Sequence, residues 1–242
     1  MTLRICYLYP NLMNTYGDQG NVMALVQRLR WRGIKSTVTN VSLHDKLPVQ
    51  PFDIYLIGGG QDNAQAAIAA DLITKATALK AAIDEGAVLL AVCGGYQLLG
   101  NTYVDPTGRE VSGVGLFDVV TKAGQRRMVG NLLVTATAVV PGAQLVGFEN
   151  HAGQTILGPT AIPFATVTSG FGNNGEDATE GVVYKNAIGT YLHGSVLPNN
   201  PKLADRLLAL ALERRYDKVE LKPLDDTLAH KTVAETLSRF TK

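Results

Sequence analysis

Cysteine is nearly missing from this chain: Cys6 and Cys93 are the only two in 242 residues. A disulfide framework is therefore excluded, and a reducing compartment, the cytoplasm, is the simpler expectation. Charge imbalance is missing as well. Lysine and arginine number 22 against 21 aspartates and glutamates, a net charge of +1, which leaves no electrostatic footprint for nucleic acid or an anionic membrane surface. No apolar run approaches the roughly 20 residues that cross a bilayer, and the opening residues lack a signal-peptide pattern. No G-x-x-x-x-G-K-[ST] phosphate loop occurs, and there are no repeats or low-complexity tracts. What is present is a 46% hydrophobic chain that can bury a sizeable core. It suits one large α/β domain over residues 1–242, with a core over about 3–216 and a helical tail over about 217–242.

The most informative stretch runs from Ala87 to Gly100. Six apolar residues lead straight into Cys93, and Gly94-Gly95-Tyr96-Gln97 follows. A continuous apolar run reads as a strand buried on both faces of a parallel sheet. Cys93 then falls on a sharp strand-to-helix turn, the thiol version of a nucleophile elbow, with the glycines relieving the turn. The positive end of a helix favours thiolate over thiol there. Cys93 is the candidate nucleophile; the competing reading is an inert, buried core cysteine.

Ahead of it, Leu3 to Tyr9 reads as a first buried strand. A polar, turn-rich segment follows, Pro10 to Asn21, and then an amphipathic helix from about Val22 to Arg32. As the first strand-to-helix connection, that segment belongs at the carboxyl edge of the sheet, where open α/β proteins place ligands. Lys35 to Val41 and Phe52 to Ile57 are further strands. The second ends in Gly58-Gly59-Gly60, whose N–H groups suit a phosphate or an oxyanion; the run is not G-x-G-x-x-G, so a nucleotide is disfavoured. Ala64 to Glu85 is helical. Beyond Gly100 the chain turns glycine-rich and β-prone, with antiparallel strands expected at Leu132 to Thr137 and Gln144 to Phe148. A hairpin around Asn186, a helix over Pro198 to Tyr216 and a last helix over Ala229 to Phe240 complete the chain.

Of four histidines, only His193 caps a buried strand with a glycine directly after it, in Tyr191-Leu192-His193-Gly194. A thiol attacking an amide needs a proton acceptor, and its nitrogen leaving group needs a proton; one histidine beside Cys93 does both.

Gly58-Gly59-Gly60, Cys93-Gly94-Gly95-Tyr96-Gln97 and Tyr191-Leu192-His193-Gly194 together resemble the class I (triad-type) glutamine amidotransferases. Gly147-Phe148-Glu149-Asn150-His151-Ala152-Gly153 resembles the cobyric acid synthase-like branch. The segment Asn14 to Asn21 and the chain length are most similar to the GatD-type glutaminase subunits of lipid II isoglutaminyl synthase. The resemblance implies a flavodoxin-like three-layer sandwich, with a mostly parallel central sheet and additional antiparallel strands. It implies glutamine hydrolysis by Cys93 and His193, with Gly59 or Gly60 and Gly94 as the backbone oxyanion hole. It places a substrate-binding arginine near Gln125 to Asn131, where Arg127 is the choice over Arg126, and Gln97 lines the glutamine pocket. No metal and no cofactor are expected in this chain. ATP and Mg²⁺ belong to a Mur-ligase-like partner subunit (MurT), which amidates the D-glutamate of the lipid II stem peptide in peptidoglycan synthesis.

The chain departs from the pattern at one point. Many class I members carry His-x-Glu, whereas Gly194 and Ser195 follow His193. Three options stay open: a Cys-His dyad, Glu149 as an in-chain acid, or a carboxylate donated by the partner. Other readings are a cobyrinate-type or other cofactor-pathway glutaminase, a Cys-His peptidase or small-molecule hydrolase, and a non-catalytic partner-binding module.

Overall fold

The computed structural model describes residues 1–238. Its elements run β1 (Thr2–Leu8), α1 (Gln19–Trp31), β2 (Lys35–Val41), β3 (Ile54–Ile57), α2 (Asp62–Asp84), β4 (Val88–Val92), α3 (Gly94–Leu99), β5 (Thr102–Val104) and β6 (Glu110–Ser112). They continue with β7 (Val119–Ala136), β8 (Gln144–Leu157), β9 (Ala165–Ser169), β10 (Thr179–Glu180), β11 (Val182–Tyr184), β12 (Ala187–Thr190), α4 (Val196–Asn199), α5 (Pro201–Tyr216) and α6 (Thr227–Ser238).

The first sheet has the order β11-β12-β4-β3-β1-β2, parallel throughout except for β11. Every residue of β3, β4 and β12 is buried, which is why these strands read as unbroken apolar runs: both faces are covered. The edge strand β2 is mostly exposed and correspondingly polar. From β1 the chain crosses to β2 in one direction; from β3 it crosses to β4 in the other. Right-handed crossovers of opposite direction put α1 and α2 on opposite faces. The strand order therefore reverses between β1 and β3, and an open α/β sheet presents its ligand crevice at the carboxyl ends on either side of such a reversal. The loops after β1, β3 and β4 all open there.

The second sheet has the order β10-β9-β7-β5-β6, with β8 paired to β7. It is mostly antiparallel, with β5 and β7 as its parallel pair. The strand expected at Gln144 to Phe148 lies within the longer β8, and the one expected at Leu132 to Thr137 forms the end of the longer β7, which stops one residue earlier at Ala136. The hairpin around Asn186 is the antiparallel pair β11 and β12. The single helix expected over Pro198 to Tyr216 is split at Asn200 into α4 and α5. Asn200 leaves helical geometry at φ −129° and spends its amide on Val146, receiving that N–H at 3.0 Å and donating to its carbonyl at 2.8 Å. The last helix is α6; Phe240, where it was expected to end, lies outside the described residues. Arg28 ties α1 to α5 and to the start of the tail, donating to Asp205 at 2.6 Å and Asp226 at 2.7 Å.

Candidate active site

Cys93 stands at the elbow between β4 and α3 with φ 49° and ψ −108°. A non-glycine residue held in that region is strained, a condition that clusters at functional sites. The strain sits on the cysteine itself. Gly94 and Gly95 belong to α3 and do not adopt positive φ, which corrects the expectation that they relieve the turn. They provide room instead: a Cβ on Gly94 would meet Gln65 Nε2 at 2.7 Å, and one on Gly95 would meet Gly58 O at 2.8 Å. The Cys93 N–H donates to Thr190 O at 2.9 Å, which links the end of β4 to the end of β12.

Three residues past β12, His193 is 1% exposed. Its backbone is clasped by β8: the His193 N–H donates to Phe148 O at 2.6 Å, and the Phe148 N–H returns to His193 O at 3.3 Å. Neither ring nitrogen has a hydrogen-bond partner among the described residues. Gly59 faces both candidate groups, since a Cβ there would lie 3.3 Å from Cys93 Cβ and 3.4 Å from His193 Cε1. The sequence pair thus meets across Gly59, with Cys93 lining a cavity of about 410 Å³ and His193 lining a second one of about 200 Å³.

Burial dominates the electrostatics. It pushes the Cys93 thiol up to about 12, with the Asp18 carboxylate adding to the rise; the Gly94 N–H and the Arg127 guanidinium pull the other way. The expectation of a helix-stabilised thiolate is therefore corrected, because α3 spans only Gly94–Leu99 and the loss of water outweighs its dipole. The same burial, followed by His151 and Arg127, drops His193 to about 3. At neutral pH the resting pair is a thiol beside a neutral imidazole.

The glycine run after β3 is packed against the first loop. Side chains at Gly58 or Gly60 would collide with Met13 O at 2.3 Å and Met13 Sδ at 2.5 Å, respectively. The Gly59 N–H, one of the expected oxyanion donors, donates to Asp18 Oδ2 at 2.9 Å. No acceptor among the described residues takes the Gly60 N–H. Gly60 and Cys93 line the same cavity of about 410 Å³, and the Gly94 N–H turns toward the Cys93 sulfur.

Arg127 reaches that cavity because β7 bulges. Ala123 pairs with Gly153 and Met128 with His151, so residues 124–127 stand against Ala152 alone. Such a bulge re-aims the side chains it carries. Arg127 lines the cavity and donates through Nε to Asn150 Oδ1 at 2.6 Å. Arg126 instead lies over the Phe171 ring, 4.6 Å from its centroid. Gln97 also lines the cavity, held by Nε2 donating to Tyr191 Oη at 3.0 Å. Gly153 makes this reach feasible, since a Cβ there would fall 2.3 Å from Gln97 Nε2.

Comparison with known proteins gives the family. Residues 4–201 match the model of the CobB/CobQ-like glutamine amidotransferase domain. The chain belongs to this family. It is 40% identical over 227 residues to the lipid II isoglutaminyl synthase (glutamine-hydrolyzing) subunit GatD of Staphylococcus aureus, covering 93% of this chain and 90% of that one. It is 40% identical over 235 residues to the subunit of the same name from Streptococcus pneumoniae, covering 96% and 90%. Among solved structures, a glutamine amidotransferase superposes with a TM-score of 0.58 at 14% identity, over 85% of this chain and 98% of that one. The matched segment of this amidotransferase holds both sheets, Cys93 and His193; nearly all of α5 and the whole of α6 lie beyond it.

Within the amidotransferase, Glu149 is directed away from the third-acid option. Its carboxylate accepts the Phe171 N–H at 2.8 Å and the Gly172 N–H at 3.0 Å, and it stands 3.7 Å from His151 Nε2. His151 in turn stacks on Tyr191 with 3.6 Å between centroids. Sequence reasoning missed Thr15, Tyr16 and Asp18 as individuals, although the loop that carries them was singled out by its length and polarity. Tyr16 lines the cavity and packs on His193, and Asp18 is 3% exposed.

Proposed function

We propose that this chain hydrolyses L-glutamine through a Cys93 thioester and hands the ammonia to an ATP-dependent, Mur-ligase-like partner subunit of the MurT type. The partner then amidates the D-glutamate of the lipid II stem peptide to D-isoglutamine. The observation that carries the reading is 40% identity across 93% of the chain to a lipid II isoglutaminyl synthase subunit, with Cys93 strained at the elbow of the cavity. The match over most of both chains favours this acceptor over a cobyrinate-type one, since a cobyric acid synthase matches 54% of this chain and 26% of its own length.

In the proposed chemistry, His193 takes the Cys93 proton as the sulfur attacks the carboxamide carbon. The tetrahedral oxygen receives the N–H groups of Gly60 and Gly94. Arg127 holds the α-carboxylate of glutamine by a charge-assisted contact, and Gln97 closes the pocket beside it. The imidazolium protonates the departing nitrogen, which leaves as ammonia. Water then gives a proton to His193 and attacks the thioester, which releases glutamate and restores the thiol. ATP and Mg²⁺ act on the partner, which activates the acceptor carboxylate. With both His193 nitrogens unpartnered among the described residues and Glu149 occupied elsewhere, the acid that orients the imidazole comes from the partner subunit.

The test is glutamate release from glutamine by the purified chain and its Cys93→Ala variant, with and without a MurT-type partner. The expected result is turnover that needs Cys93 and rises with the partner. Equal turnover with and without the partner overturns the donated acid. No turnover in either setting overturns the glutaminase.

A further inference from the structure

The first loop is the part of the site for which glutamine hydrolysis, as proposed above, names no role. It touches the glycine run at both of its middle peptides. The Asp18 Oδ2 accepts the Gly59 N–H at 2.9 Å, which fixes the Gly58–Gly59 peptide. The Thr15 N–H donates to Gly59 O at 3.1 Å, which fixes the Gly59–Gly60 peptide. In a trans peptide the carbonyl and the N–H point to opposite sides, and the chain has no cis bonds among its described residues. Turning the Gly59 oxygen to Thr15 therefore sets the direction of the Gly60 N–H, the donor that has no acceptor among the described residues.

Asp18 is an expensive choice for a purely structural contact. The side chain is 3% exposed, and its second oxygen, Oδ1, is buried with no partner among the described residues. Burial pushes this carboxyl up to about 6 against the pull of the Gly59 N–H and of its own backbone N–H, so it is mostly charged at neutral pH. That charge also opposes ionisation of Cys93. A buried carboxylate with one unpartnered oxygen, set against the nucleophile, calls for a role of its own. We infer that Asp18 is a positioning residue for the oxyanion hole: its carboxylate, acting with the Thr15 N–H, locks the peptides of Gly58, Gly59 and Gly60 so that the Gly60 N–H is aimed before substrate arrives.

This inference rests on the glutaminase reading, and the experiment separates the two. The acceptor oxygen and the charge are uncoupled by comparing Asp18→Asn, which keeps an oxygen for the Gly59 N–H, with Asp18→Ala, which keeps none. A displaced catalytic group costs on the order of 100-fold in rate, so Asp18→Ala is expected to lose about 10- to 100-fold in kcat with KM changed less than about threefold. Asp18→Asn is expected to stay within about fivefold of the parent kcat, because its amide oxygen still accepts the Gly59 N–H; a lost transition-state donor lowers kcat, whereas lost ground-state binding raises KM. Should Asp18→Ala fail to fold, Asp18→Leu supplies the same missing acceptor with a filled volume. Equal losses in the asparagine and alanine variants, or a loss confined to KM, overturn the proposal.

Amide hydrogen exchange, resolved by residue, is the second measurement and needs no turnover. Gly59 exchanges slowly in the parent and in Asp18→Asn, and at least tenfold faster in Asp18→Ala. Unchanged Gly59 exchange in Asp18→Ala overturns the inference even in an active enzyme. A parent chain with slow Gly59 exchange that releases no glutamate, alone or with the partner, overturns the glutaminase reading instead.

Discussion

The ring of Tyr16 stands edge-on against the imidazole of His193, with 4.4 Å between centroids and 61° between planes. The same tyrosine lines the cavity, and its hydroxyl lies 3.5 Å from Arg127 Nη2. Tyr16 thus fills the space between the candidate base and the candidate substrate arginine. Removing its ring opens His193 to solvent. Tyr16→Ala is expected to raise the rate of His193 carbethoxylation by diethyl pyrocarbonate about tenfold, whereas Tyr16→Phe keeps the parent rate because the ring edge remains. Peptide mass spectrometry reads His193 apart from His44, His151 and His230. Equal His193 rates in all three proteins would remove the screening role.

The thiol of Cys93 is held up by burial, and this fixes the shape of its alkylation profile. With a value near 12, the thiolate fraction in the free chain rises about tenfold per pH unit across the accessible range. Iodoacetamide labelling of Cys93 is therefore expected to climb from pH 7 to pH 9 with no plateau. Cys6 is also pushed up to about 12 by burial, so peptide-resolved labelling is required. A plateau for Cys93 between pH 6 and pH 8 would show a preformed thiolate and contradict the electrostatics of the site.

Arg126 and Arg127 are neighbours in sequence but not in environment. One rests on Phe171 and the other reaches the cavity from the bulge of β7. A charged hydrogen bond is worth about 1.5–3 kcal/mol. Arg127→Ala is accordingly expected to raise the KM for glutamine by about 10- to 100-fold with kcat nearly unchanged, the signature of lost ground-state binding. Arg126→Ala should leave both constants within about threefold. Steady-state glutamate release measures the pair, and a larger KM effect at Arg126 would reverse the assignment.

How far the sequence reaches depends on whether a feature is local. The apolar run into Cys93 and the strand that ends near His193 were legible because a doubly covered parallel strand must be apolar along its whole length. The edges of β2 match the expectation residue for residue, since alternation and a following loop define an edge strand locally. The bulge that carries Arg127 was not legible: it arises from pairing β7 with residues about 30 positions away, and nothing in Gly124 to Arg127 announces the mismatch. Asp18 was hidden for the same reason. A carboxylate in a turn-rich segment reads as solvated until the strand-order reversal between β1 and β3 brings Gly59 onto it. The state of the Cys93 thiol depends on burial, which belongs to the tertiary structure, so the helix-dipole argument pointed the wrong way.

Behind the site, Glu180 carries a buried carboxyl whose titration is readable in stability. Its Oε1 accepts the Tyr191 N–H at 2.9 Å and the Thr190 hydroxyl, and its Oε2 is buried without a partner among the described residues. Burial raises it from 4.5 to about 7, against the pull of those two donors. Between these values the folded chain holds a proton that the unfolded chain releases, so the contribution of Glu180 is full below pH 4.5 and is lost as pH rises through 7. Glu180→Gln does not titrate, and its amide oxygen can keep the Tyr191 and Thr190 bonds. The difference in Tm, variant minus parent, is therefore expected to grow steadily from pH 5 to pH 7.5 and then level. Thermal unfolding across that range checks it. A difference that stays constant with pH would mean that Glu180 remains ionised in the fold throughout, with Oε2 satisfied by water.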